Sequence, residues 1–153
     1  MRPARRRYRP RALVEFTTPS PPAQGFNALY GLEILESSEE SVRAQVAVRD
    51  EIKQPMGLVH GGIYASIAEA ITSMATAVAV IPAGGMAMGL SNQTSFLRPI
   101  SEGTVHAQAT RVHRGRTTWV WDVEFTDDAG KRCAMTRMTI AVRPLPLAQK
   151  PPG

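Results

Sequence analysis

The sequence has little of the chemistry that cross-links small proteins. Cys133 is the only cysteine among 153 residues, which excludes an internal disulfide framework and a zinc site built on clustered thiolates. A lone thiol fits a reducing compartment, so we expect a cytoplasmic location. His106 and His113 lie in different strand and turn settings with no carboxylate cluster, so no metal site is expected.

Long apolar runs are also scarce. The most apolar stretch, from Ile63 to Ile81, contains Glu69 and several serines and threonines. It falls short of the ~20 uninterrupted apolar residues that a membrane span requires, so we expect a soluble protein with no membrane partner. A chain of 153 residues that is 43% hydrophobic favours one domain over two.

Positive charge is concentrated at the N terminus. The formal net charge is +5, yet six arginines lie within the first eleven residues: Arg2, Arg5, Arg6, Arg7, Arg9 and Arg11. The rest of the chain has 12 basic and 13 acidic residues, so the folded part is nearly neutral and nucleic acid is not favoured as a partner. Prolines recur at both ends. We therefore predict a disordered basic arm at 1–25, a folded domain at 26–144 and a disordered tail at 145–153.

Hydrophobic periodicity predicts one long helix and a series of antiparallel strands. A short helical turn is expected to lead into a strand within Phe26 to Leu35, and Val42 to Val48 alternates as a half-buried strand does. Further alternating segments are Met86 to Leu97, Thr104 to Val112, Thr117 to Thr126 and Arg132 to Val142. Between them, apolar residues recur at helical steps and are expected to form the core face of the helix: Ile63, Ile67, Ala70, Met74, Val78 and Ile81. This order predicts an α+β fold.

Glu69 is the only formally charged side chain in the 44 residues from Gln54 to Leu97. On a helical wheel it lies away from the apolar stripe, beside Ser66 and Ser73. The surrounding face has small side chains and none of the lysines or arginines expected of a face exposed to water. We therefore expect this side of the helix to pack against a second copy of the chain, with Glu69 at the contact.

Gly61 and Gly62 lie where the helix is expected to begin. The first N–H groups of a helix have no intrahelical partners and carry the positive end of its dipole. Glycines there allow a substrate oxygen to approach the backbone, which makes an oxyanion hole plausible. Glu69 lies eight residues beyond Gly61, about 12 Å along the axis.

Several motifs, taken together, resemble the hotdog-fold acyl-CoA thioesterases. The first runs from Gly57 to Tyr64 and reads GLVHGGIY, followed by Ala68-Glu69. The others are SNQTSFLRP (91–99), TTWVWDV (117–123), DDAG (127–130) and IAVRP (140–144). Within that family, the chain resembles the branch of the Arthrobacter-type 4-hydroxybenzoyl-CoA thioesterase and the PaaI-like enzymes.

The resemblance implies a sheet wrapped around the long helix, with active sites between the subunits of a dimer that commonly pairs into a tetramer. It assigns Glu69 as nucleophile or general base and the Gly61 N–H as oxyanion donor. Gln54 of a neighbouring subunit, His60 and Ser73 are implied as supporting residues. Contact with coenzyme A (CoA) is implied for Arg98, Arg116 and Thr117.

The resemblance implies hydrolysis of an aromatic acyl-CoA, of the 4-hydroxybenzoyl or phenylacetyl type, with CoA as part of the substrate and no cofactor. Two alternatives remain open. A non-catalytic hotdog module can bind acyl-CoA as an effector, with the arginine-rich arm reaching DNA. A hotdog dehydratase would pair a histidine with an acid across the dimer, and the position of His60 before the helix disfavours it.

Overall fold

The computed structural model describes residues 22–146. Most of the predicted arm and most of the predicted tail lie outside the described residues. The elements are α1 (Phe26–Leu29), β1 (Glu33–Ser37), β2 (Ser41–Ala47), α2 (Gly61–Val80), β3 (Gly85–Phe96), β4 (Thr104–Arg114), β5 (Thr118–Thr126) and β6 (Arg132–Pro144), with short 3₁₀ turns at Asp50–Ile52 and Ile81–Ala83.

The six strands form one antiparallel sheet in the order β1-β2-β4-β5-β6-β3. The long helix α2 packs on one face of it. On β5 the alternation holds along the whole strand, since Trp119, Trp121, Val123 and Phe125 are buried. The predicted α+β architecture, with one long helix against an antiparallel sheet, is confirmed.

The predicted core face of the helix is wrong by about a quarter turn. The buried residues of α2 are Tyr64, Ile67, Ala68, Ile71, Thr72, Ala75, Thr76 and Val80. Three residues expected in the core are instead exposed: Met74 at 37%, Val78 at 60% and Ile81 at 54%. By length and composition α2 could cross a membrane, but its buried face identifies it as the core helix of this fold.

Two buried threonines are the reason that the core face of α2 differs from the predicted one. The hydroxyls of Thr72 and Thr76 donate to the carbonyls of Ala68 and Thr72, at 2.7 and 2.8 Å. Trp121 Nε1–H in turn donates to Thr76 Oγ1 at 3.0 Å. Because every polar atom is paired, the threonines can be buried beneath large side chains of the sheet at little cost. The open face of α2 therefore carries apolar side chains that residues 22–146 do not cover.

Candidate active site

The start of α2 is built around the side chain of His60. This residue is the helix N-cap, and its Nδ1 accepts a hydrogen bond from the Gly62 N–H at 2.9 Å. The His60 carbonyl accepts from the Ile63 N–H, also at 2.9 Å. Within residues 22–146, no acceptor bonds the N–H of Gly61. His60 thus binds the N–H groups of Gly62 and Ile63, and the Gly61 N–H, the predicted oxyanion donor, has no acceptor among the described residues.

The same cap fixes the tautomer of His60. The nitrogen that accepts a hydrogen bond carries no proton, so the neutral ring has its hydrogen on Nε2. The ring is exposed, and its Nε2–H is directed away from the Gly62 bond. His60 thus uses Nδ1 to cap the helix, and among the described residues its Nε2–H has no acceptor and is left for a second partner.

Glu69 lies more than two turns further along α2 and is exposed in the single chain. Its carboxylate lies beside β3, because a Cβ placed on Gly89 would be 3.5 Å from Glu69 Oε1. The pKa of the buried Tyr30 is raised mainly by desolvation and also by the charge of Glu69. The expectation that Glu69 points away from the core is met. Its burial at a subunit contact stays a prediction.

Gln54 precedes Gly61 in the chain, and Ser73 follows Glu69. The Gln54 Oε1 accepts from the Met56 N–H at 2.8 Å in the turn that precedes the helix. The Ser73 hydroxyl is buried and, within the described part of the chain, has no hydrogen-bond partner. Its position one turn beyond Glu69 agrees with the sequence. The role of Gln54 in a neighbouring subunit stays a prediction.

Two residues that sequence reasoning missed line the same stretch from β3. The Asn92 side chain donates to the Ala65 carbonyl at 2.9 Å, and the Phe96 ring packs against Gly61. Strand alternation is the signal that would have found them, since positions 92 and 96 share a face of β3.

The three residues expected to bind CoA are not brought together within one chain. Arg98 donates its backbone N–H to the Cys133 carbonyl, at the beginning of β6. Thr117 and the adjacent Arg116 lie at the other end, where the Thr117 carbonyl accepts from the Val142 N–H. The eight residues of β6 between Cys133 and Val142 separate these points by about 30 Å. The backbones of Arg98 and Arg116 therefore lie far apart in one chain.

The segment that contains this site matches a known protein family. Residues 56–134 match the sequence profile of a family described as the thioesterase superfamily. The chain belongs to the thioesterase superfamily. The match includes Gly61 and Glu69, the whole of α2, β3, β4 and β5, and the first residues of β6.

Individual thioesterases resemble this chain over most of their length. A solved structure of the thioesterase PA1618 from Pseudomonas aeruginosa, carrying a glutamine-to-alanine change, is 36% identical, covers 78% of this chain and 86% of that one, and has a TM-score of 0.74. A 1,4-dihydroxy-2-naphthoyl-CoA hydrolase from Listeria monocytogenes is 31% identical over 78% of this chain and 96% of its own length.

A third relative has been solved in two altered forms. The thioesterase SAV0944 of Staphylococcus aureus, with a glutamine replaced by alanine, is 26% identical and covers 77% of this chain and 98% of that one, with a TM-score of 0.74. A second structure of it carries a glutamate-to-alanine change. The predictions of a hotdog fold and of a thioester hydrolase are confirmed by these matches.

Cys133 offers this thioesterase no second nucleophile. Its side chain is buried, and the thiol donates to the Lys131 carbonyl at 3.1 Å. Burial is the main reason that the pKa of Cys133 is raised, which is the opposite of what a reactive thiolate needs. Cys133 is therefore a core residue.

Proposed function

We propose that this protein hydrolyses an aromatic acyl-CoA to the free acid and CoA. The observation that carries the proposal is the unpaired Gly61 N–H at the start of α2, on the same helix as the isolated carboxylate of Glu69. Hydrolysis of a thioester is accelerated by a donor for the oxygen that becomes negative and by a nucleophile or base for attack on the carbon, and a carboxylate can serve as either. The helix presents both, about 12 Å apart along its axis, so the reacting group lies between them.

The chemistry follows from these groups. The thioester oxygen accepts from the Gly61 N–H and from the His60 Nε2–H while charge develops on it. Glu69 either attacks the carbonyl carbon or takes a proton from the water that does. The carbon–sulfur bond then breaks, and the thiolate of CoA leaves and takes up a proton. Removing one oxyanion donor typically costs about 3 kcal/mol, or 10²- to 10³-fold in rate.

Spacing in a relative supports the choice of Glu69 and Gln54. In the Staphylococcus aureus thioesterase, the glutamine and the glutamate that were replaced in separate structures are fifteen positions apart. Gln54 and Glu69 are also fifteen positions apart in this chain. We infer that the two pairs correspond and that Gln54 contacts the substrate in a partner's site, with Ser73 beside the acyl group.

A dimer completes the site in this proposal. β3 is an edge strand with exposed apolar side chains, among them Met88 and Leu90. The open face of α2 next to it exposes Met74 and Val78. Pairing of two β3 edges covers these side chains and buries Glu69 between subunits. A dimer of dimers then allows Arg98 of one subunit and Arg116 with Thr117 of another to contact one CoA.

The acyl group is the finer part of the proposal. The relative named as a 1,4-dihydroxy-2-naphthoyl-CoA hydrolase acts on an aromatic acyl group by its name, and the motifs resemble the 4-hydroxybenzoyl-CoA and PaaI-like branch. An aromatic thioester of the hydroxybenzoyl or phenylacetyl type agrees with both the name of this relative and the resemblance of the motifs. The reaction needs no cofactor beyond the CoA of the substrate, and we place the enzyme in the cytoplasm.

Replacement of Glu69 by glutamine tests the proposal. The change keeps the shape of the side chain and removes the carboxylate, so we expect kcat to fall by at least about 10³-fold with the fold intact. A free-thiol assay with benzoyl, 4-hydroxybenzoyl and phenylacetyl thioesters measures it. Glu102→Gln, at an exposed position in the β3–β4 connection, is the matched control and should keep full activity.

Each outcome has a defined meaning. Near-wild-type turnover by Glu69→Gln would remove Glu69 from the chemistry. Tight binding of these thioesters by the unaltered protein without thiol release would favour the non-catalytic acyl-CoA-binding module. A single turnover in ¹⁸O-labelled water then separates a general base, which gives labelled product at once, from a nucleophile, which first transfers an unlabelled enzyme oxygen.

A further inference from the structure

The face of β3 that meets α2 contacts the helix along the whole candidate site, from Gly61 to Glu69. The Phe96 ring lies against Gly61, Asn92 is hydrogen-bonded to the Ala65 carbonyl, and Gly89 lies beside the Glu69 carboxylate. Gly61, Ala65 and Glu69 follow one another at steps of four residues along α2, and their partners on β3 occur in the reverse order along the chain. This strand face is therefore one wall of the space in which a thioester must lie between Gly61 and Glu69.

Phe96 is the largest side chain of that wall. A Cβ placed on Gly61 would be 2.8 Å from the ring Cζ and 3.0 Å from Cε1, so the ring occupies the volume that any other residue at 61 would need. The Tyr64 ring supports it from the core side, with centroids 6.1 Å apart. Phe96 is nevertheless 60% exposed, which leaves much of an aromatic ring open next to the unpaired Gly61 N–H.

We propose that the exposed ring of Phe96 contacts the substrate beside the thioester and selects for flat, aromatic acyl groups. This inference rests on the proposed function. A substrate whose carbonyl oxygen reaches the Gly61 N–H must pass along the ring that covers Gly61. Aromatic groups pack on such a ring in offset or edge-to-face arrangements that a flexible chain cannot reproduce. The ring also excludes water from one side of the oxyanion donor.

Kinetics of two variants with two thioesters test the selection. Phe96→Ala should raise KM for benzoyl-CoA about tenfold with a smaller change in kcat, because the contact exists in both the ground state and the transition state. Phe96→Leu keeps an apolar side chain but has no ring, so it should show the wild-type KM for hexanoyl-CoA and a raised KM for benzoyl-CoA. Val112→Ala, at a 52% exposed apolar position on β4, is the control and should leave both substrates unchanged. Light scattering should show the same oligomeric state for all variants.

A thermal measurement tests the contact without any activity. Gly61→Ala should change Tm less favourably when Phe96 is present than in a Phe96→Ala background, because the added methyl must displace the ring. Equal changes of Tm in the two backgrounds would show that the ring does not cover Gly61.

The outcomes separate this inference from the function on which it rests. An active protein whose benzoyl-to-hexanoyl ratio of kcat/KM is unchanged in both Phe96 variants overturns the inference alone. An unaltered protein that hydrolyses neither these thioesters nor the hydroxylated ones overturns the proposed function, and the inference with it.

Discussion

The two edges of the sheet differ although one fold produces both. β1 is five residues long and carries Glu36, which pairs with Arg43 at 2.7 Å, and Glu33, which accepts from Gln45 at 2.8 Å. β3 is twelve residues long and has no charged residue. Short, charged edges resist pairing with another chain, whereas long, uncharged edges invite it. The sequence thus protects one edge and leaves the other available.

The available edge is also the edge beside the candidate site. β3 contacts α2 at Gly61, Ala65 and Glu69, and the opposite edge strand β1 does not take part in those contacts. A site next to an open strand can be completed by whatever pairs with that strand. We therefore expect assembly and catalysis to be coupled at β3 and independent of β1, and this difference can be tested.

The largest effect is expected from placing a charge on the open edge. Leu90 and Leu35 are a matched pair, because each is the unpaired residue at an irregularity in its edge strand and each is exposed, at 58% and 45%. Leu90→Lys should break the dimer and lower kcat/KM by about 100-fold or more, since a charge at an apolar contact is left without a partner. Sedimentation velocity and the free-thiol assay measure the two effects.

Leu35→Lys is the control for that change. It should leave both the oligomeric state and the activity unchanged, because β1 is already a charged edge. Loss of assembly in the Leu35 variant with an intact Leu90 variant would reverse the assignment of the two edges. Full activity of a monomeric Leu90 variant would show that one chain contains a complete site.

The centre of the sheet supplies a second test, in which stability changes without a change of assembly. Thr76→Val keeps the shape of the side chain and leaves Trp121 Nε1–H buried with no acceptor, so we expect unfolding free energy to fall by about 1 to 3 kcal/mol. Thr72→Val, which loses only a bond to a helix carbonyl, should cost less. Urea denaturation measures both. Equal costs would mean that the Trp121 bond contributes nothing specific.

The sequence was informative wherever one pattern decided the outcome. Alternation along β5 and the glycine pair that opens α2 each indicate one local structure, and both lie where the sequence predicts them. The orientation of α2 was not predictable in this way. The periodicity of Met74 and Val78 fits a core stripe as well as an uncovered face, and the choice depends on Thr76 accepting a hydrogen bond from β5, a contact between distant segments.

The candidate site was predictable only in part for the same reason. Gly61 and Glu69 belong to one helix, so their separation follows from helix geometry alone. Phe96 and Asn92 reach the site through the pairing of β3, and the register of a strand cannot be counted from its own residues. The ends of β6 separate Arg98 from Arg116, which motif order along the chain does not reveal.

A smaller effect is expected from removing charge at the protected edge. Arg43→Ala breaks the ion pair with Glu36, whose side chains are 52% and 66% exposed. Exposed pairs of this kind contribute about 0.2 to 1 kcal/mol, so the unfolding free energy should fall by no more than that. Activity should not change. Conversion to a larger assembly, seen by light scattering, would show that this pair protects the β1 edge, whereas an unchanged state would assign protection to the short length of β1.

The smallest effect concerns the turn that closes the sheet between β5 and β6. The hydrogen bond with His106 Nε2, at 2.8 Å, and that from the Thr104 N–H, at 3.1 Å, hold the pKa of Asp128 below its usual value of 3.8. A carboxyl whose pKa is lowered by folding stabilises the folded state above pH 3.8 and loses that contribution as the pH falls through its folded value. Asp128→Asn should therefore lower stability slightly at pH 7 and flatten its dependence on pH below 4. Because the group is exposed and its partners lie on β4 and not on β3, dimerisation at pH 7 should not change. An Asp128 variant that dissociated at neutral pH would show that assembly depends on the sheet ends as well as on its open edge.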